Sequence, residues 1–167
     1  MMVNKLVIMI LVSMSIFPIN INNISTDTIQ PSEISVTTEL NGSNNNINTE
    51  LSIKDYIKIE CAKRNLDYRI IYSIIEQESK WNEDAVGDSG DSLGLMQIQS
   101  RWHKNRMDNL GVSDLLDPYQ NVLVGIDIID ELISKYGLYG GLTAYNTGSP
   151  DGYSQYSENV ISNMNNY

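Results

Sequence analysis

The chain has 167 residues and a formal net charge of −10, enough length for one domain with extensions but no basic stripe for nucleic-acid phosphates. A single cysteine, Cys61, excludes an intrachain disulfide, and a single histidine, His103, leaves zinc hydrolysis short of ligands. Nucleic-acid binders, disulfide scaffolds and zinc-dependent enzymes are therefore set aside first.

Lys5 precedes an apolar run, Leu6–Phe17, that matches the core of a secretory signal and is short for a bilayer span. Pro18-Ile19-Asn20-Ile21 makes a poor cleavage site. Residues 1–21 are thus expected to be a signal peptide or an uncleaved N-terminal membrane anchor. Residues 22–50, rich in Asn, Ser and Thr, keep no helical or strand period and read as a flexible linker. Residues 51–167 form the expected folded domain.

Within it, Ser52 and Asp55 resemble a capping box, followed by Ile53, Tyr56, Ile57 and Cys61 at helical spacing. Cys61 reads as a small buried side chain of that helix. Asp67 caps a second helix over Tyr68–Ser79, in which Ile71, Ile74 and Ile75 share a face. Glu78 falls in the middle of that face, whereas Glu76 projects to the other side. Any sheet is confined to 82–99, a Gly/Asp/Ser-rich stretch. Ser100 is expected to cap a third helix carrying Trp102, Arg106, Met107 and Leu110 up to Gly111. Asp117-Pro118 starts a fourth, whose stripe Val122, Ile126, Ile129, Ile133, Tyr136 is closed by Gly137. Short helices over Tyr139–Asn146 and Ser154–Met164 follow. The fold class is all-α with at most a minor β-hairpin.

A carboxylate on an isoleucine face is costly to ionise, so Glu78 is expected to find a partner or stay protonated. A protonated carboxylic acid near neutral pH is what cleavage of a glycosidic bond requires. Downstream stand Gly94-Leu95-Met96-Gln97, Asp117-Pro118 with Asn121, and Ala144-Tyr145-Asn146-Thr147-Gly148. In this order after Glu78-Ser79, the pieces resemble the lytic transglycosylases of the soluble-lytic type over roughly residues 52 to 160. The loop Gly87-Asp88-Ser89-Gly90 is also similar to that of goose-type lysozymes, which are related in fold.

The resemblance implies a lysozyme-like domain that cleaves the β-1,4 bond between N-acetylmuramic acid and N-acetylglucosamine in peptidoglycan, with a 1,6-anhydromuramic product. Glu78 would be general acid and then base. Tyr145 would hold it by a hydrogen bond, with Asn146 in support. Met96 and Gln97 would line the groove, Gln97 bonding sugar groups, while Leu95 reads as core. The family needs neither cofactor nor metal. Its partner is the peptidoglycan glycan strand, and it would act as an exported monomer, with membrane attachment through the N-terminal segment left open. A hydrolytic muramidase using Glu78, Asp88 and water is the alternative, although Gln99 stands where goose-type enzymes carry an Asp. From another class, a non-catalytic peptidoglycan-binding module would keep the same groove. Asp84, Asp88 and Asp91 lack the spacing of an EF-hand loop and give no calcium site.

Overall fold

The computed structural model describes residues 51–167, so the expected signal or anchor and the linker lie outside the described residues. The described part is helical. Its main elements run α1 (Ile53–Lys63), α2 (Tyr68–Glu78), β1 (Val86–Gly87), β2 (Ser92–Leu93), α3 (Ser100–Leu110), α4 (Pro118–Thr147) and α5 (Gln155–Asn163). The two strands pair antiparallel, Val86 opposite Leu93 and Gly87 opposite Ser92, and form the minor hairpin within 82–99.

Local chemistry explains the helix starts. Ser52 accepts from the Asp55 amide, Asp67 from that of Arg69 and Asp117 from that of Gln120, each satisfying an amide that has no partner within its helix. The third cap differs from expectation. Gln99, not Ser100, occupies the N-cap of α3, and its side chain makes no capping bond there. Its amide is used instead between the 88–92 loop and the start of α3.

Ile71, Ile74 and Ile75 of α2 are fully buried with Ile57, Val122, Ile126, Ile129, Leu142 and Val160, so all four neighbouring helices share one core. Helix α1 packs on α4, and α5 on both α2 and α4. A buried hydroxyl pair, Thr143 and Ser157 at 2.9 Å, ties α4 to α5. Helix α4 breaks at Gly137, whose φ of 74° an L side chain rarely adopts. Beyond the break the chain doubles back so closely that a Cβ on Gly141 would lie 2.9 Å from the Ile133 amide nitrogen. This return carries Ala144-Tyr145-Asn146 to the mouth of the cleft that α2 also enters. Helix α3 has no buried residue and forms an outer wall, held to α4 by Arg106, which bonds Asp127 at 2.8 Å and Glu131.

Candidate active site

Helix α2 stops at Glu78 because the chain turns away immediately after it: Ser79 and Lys80 both donate backbone bonds to Ile75, and Lys80 and Trp81 take φ of 53° and 62°. The Glu78 side chain is therefore on the last turn, half-buried above the isoleucines and facing a cleft of about 830 Å³. That volume lies in the range of ligand clefts, roughly 300–1,000 Å³. Asp88, Gln97, Gln99, Trp102 and Asn146 line the same space.

Burial pushes the Glu78 carboxyl above the ordinary glutamate value, a hydrogen bond from Tyr156 opposes the shift, and the negative charge of Asp88 adds to it. The Tyr156 hydroxyl donates to Glu78 Oε1 at 2.7 Å. Burial and the negative charge of Glu78 keep that phenol protonated, so it remains a donor across the working pH range.

Tyr145 is not the residue that holds Glu78. Its hydroxyl donates to the Met96 carbonyl at 2.7 Å, and its ring stacks on Tyr156 with centroids 6.5 Å apart. Tyr145 thus supports the phenol that touches the acid. Tyr156 carries no sequence signal for this role: it lies 78 residues from Glu78 and shares the buried face of α5 with Val160, where an aromatic reads as core.

Met96 also departs from expectation. Its side chain is fully buried against Gly125, where an added Cβ would meet the sulfur at 2.2 Å, and it does not line the groove. What it offers the site is backbone, a carbonyl for Tyr145 and an amide for Asn121. Leu95 is core, as expected. Gln97 lines the cleft at a φ of 50°, but its Nε2 donates to the carbonyls of Ala85 and Gly94 at 3.1 and 2.9 Å, which pins the loop.

Asn121 is fully buried and holds this loop from α4. Its Oδ1 accepts from the Met96 amide, and its Nδ2 donates to the carbonyls of Leu93 and Leu115, each at 2.8 Å. Gly94 is required beneath it, since an added Cβ would meet the Leu115 carbonyl at 2.4 Å and Asn121 Nδ2 at 2.5 Å. Asp88 is exposed on the cleft lining, where its Oδ2 accepts from Ser92 at 2.6 Å and Gln99 at 2.9 Å. An aspartate at 99 would set two carboxylates against each other; the amide makes the loop self-consistent. Asn146 is exposed at the end of α4 and lines the cleft, while Glu76 is exposed and outside it. Burial pushes the Cys61 thiol up to about 12, an inert core side chain. Among the described residues no group of His, Cys, Asp and Glu is placed to hold a metal ion.

Comparison with known proteins adds a family to this geometry. The Transglycosylase SLT domain matches residues 55–163. The invasion protein IagB of Salmonella typhi is 36% identical over 92 residues, covering 51% of this chain and 57% of that protein. The membrane-bound lytic murein transglycosylase F of Haemophilus influenzae (strain PittGG) is 32% identical over 97 residues, covering 53% of this chain and 19% of that protein. The transglycosylase of Enterobacteria phage PRD1 is 33% identical over 89 residues, with 53% and 32% covered. The chain therefore spans a little over half of the first of these relatives and a third or less of the others. In fold, an X-ray structure of an inactive mutant of the lytic transglycosylase Slt from Pseudomonas aeruginosa is similar, at a TM-score of 0.58 and 23% identity, over 71% of this chain and 24% of that one.

Proposed function

This chain belongs to the Transglycosylase SLT domain family, and from that premise we propose that it is a peptidoglycan lytic transglycosylase working outside the cytoplasm. It cleaves the β-1,4 bond between N-acetylmuramic acid and N-acetylglucosamine. Names among the relatives, such as murein transglycosylase, support this substrate class. Residues 1–21 would direct the export that such a substrate demands.

The observation that carries the reading is a half-buried Glu78 held in a cleft by one phenol, in a setting whose burial pushes its carboxyl above the ordinary glutamate value. With Oε1 accepting from Tyr156, the acidic proton resides on Oε2. Glu78 gives that proton to the glycosidic oxygen as the bond to the muramic anomeric carbon breaks. The resulting carboxylate then takes a proton from the muramic C6 hydroxyl. That oxygen closes on the anomeric carbon, giving a 1,6-anhydromuramic end and consuming no water. Tyr156 bonds the carboxylate more strongly than the acid, so it favours the first proton transfer. Asn146, exposed on the cleft wall, and Gln97, which holds the loop, shape the groove for the acetamido groups.

A hydrolytic outcome would need a second carboxylate to activate water. Asp88 is the near candidate, and the commitment of its Oδ2 to Ser92 and Gln99 supports a fixed loop residue over a mobile base. Mass spectrometry of the products released from purified wall separates the readings. Anhydromuramic ends are expected. Reducing ends alone would assign the chemistry to Glu78, Asp88 and water, and binding without release would indicate a non-catalytic module. Glu78→Gln should lower release by about 10²–10⁴-fold, while Glu76→Gln, outside the cleft, leaves it unchanged.

A further inference from the structure

Among the described residues, seven large apolar side chains are exposed, and two of them, Trp102 and Tyr136, line the cleft of Glu78. Trp102 is the more open, at 72% exposed. Helical spacing with Arg106, Met107 and Leu110 does not say which way it faces; in the structure it stands on the cleft wall. An indole left in water is unfavourable, and a mobile one would fold down onto the surface. This one is held upright.

The Trp102 Nε1–H donates to Gln99 Oε1 at 3.1 Å, and the Arg101 guanidinium lies 5.3 Å from the ring centroid. Arg101 is fixed in turn by Asp91 at 2.7 Å and by Gln99 Oε1 at 2.8 Å. Gln99 Nε2 completes the network with Asp88 and Ser92. The amide of Gln99 thus joins Asp88 and Ser92 to an exposed ring on the wall of the same cleft.

We propose that Trp102 is a stacking platform for a hexosamine ring at a subsite beside the scissile bond, and that Gln99 is the positioning residue that presents it. This rests on the glycan reading above. A pyranose offers one apolar C–H face and a rim of hydroxyls, which suits the exposed face of a flat ring whose N–H edge is held by Gln99 and whose other face carries Arg101. The cations beside the ring are already engaged, Arg106 by Asp127 and Glu131 and Arg101 by Asp91, so charge contributes little to this recruitment. Stacking is indifferent to the chain's net negative charge, so it binds an anionic wall polymer without long-range attraction.

The test compares Trp102→Ala, Trp102→Phe and Gln99→Ala with the wild type on purified peptidoglycan strands. Tyr153→Ala serves as control, since that ring is 76% exposed but outside the cleft. Trp102→Ala should raise KM by about tenfold, the scale of one aromatic contact. Trp102→Phe should recover part of that loss, and Gln99→Ala should raise KM by a few-fold while making Trp102 emission more readily quenched by acrylamide. In the Glu78→Gln protein, titration with N-acetylglucosamine oligomers should change tryptophan emission saturably, and Trp102→Phe should abolish the change. Active wild type with an unchanged KM in Trp102→Ala would overturn the platform and leave the proposed function intact. A wild type that neither binds nor cleaves wall glycan would overturn both.

Discussion

Replacing Tyr156 with phenylalanine removes one oxygen and keeps the ring that stacks on Tyr145. The lost bond is short, 2.7 Å between the phenol and Glu78 Oε1, in a half-buried setting. A hydrogen bond to a charged group contributes about 1.5–3 kcal/mol, and it is strongest once Glu78 has become a carboxylate. At about 1.4 kcal/mol per decade, kcat on peptidoglycan should fall by about 10- to 100-fold with KM little changed. The pH profile gives an independent readout. A general acid works only while protonated, so activity is lost as pH rises through the Glu78 pKa. The Tyr156 bond opposes the upward shift of that pKa, so Tyr156→Phe should move the alkaline limb to higher pH. An unchanged kcat with a limb that stays in place or moves to lower pH would refute the assignment of Tyr156 as the group holding the acid.

Two further predictions concern stability. Asn121→Ala leaves the Met96 amide and the carbonyls of Leu93 and Leu115 without their partner, so urea unfolding should show a loss of about 3 kcal/mol or more, and a loss under about 1 kcal/mol would contradict its role as the clasp of the loop. Glu78→Gln should stabilise the fold at pH 7. A carboxyl whose pKa is raised on folding contributes stability that is complete below the unfolded-state pKa and is lost as pH rises through the folded one. The advantage of the glutamine in thermal melts should therefore shrink as pH falls toward 4, whereas a constant difference would argue against a raised pKa.

What was legible in the residues follows from the range over which each signal acts. Caps at Ser52, Asp67 and Asp117, the isoleucine stripe of α2 and the break at Gly137 are local, set within a turn or two, and the structure agrees with each. The placement of Glu78 above that stripe is local as well. The partner of Glu78 was not legible, because choosing Tyr156 over Tyr145 depends on how α5 docks between α2 and α4. Met96 lies in the core and not in the groove, which was not legible for a related reason. In the tight turn Gly94–Gln97, closed by the paired Leu93 and Ile98, positive φ at Gly94 and Gln97 breaks the alternation that would say which side chains face outward. Helix α3 shows the limit of periodicity: its apolar spacing is helical, yet with no buried residue it is a wall, and Trp102 faces the cleft.

Catalysis by this cleft turns on the protonation state of one carboxyl in the free protein. Carbon-13 NMR titration of the glutamate side-chain carboxyls, with Glu78 assigned by its absence in Glu78→Gln, measures it directly. Burial places the midpoint above that of an ordinary glutamate, and loss of the phenol should raise it further in Tyr156→Phe. A midpoint at or below the ordinary value, unmoved by the loss of the phenol, would contradict this.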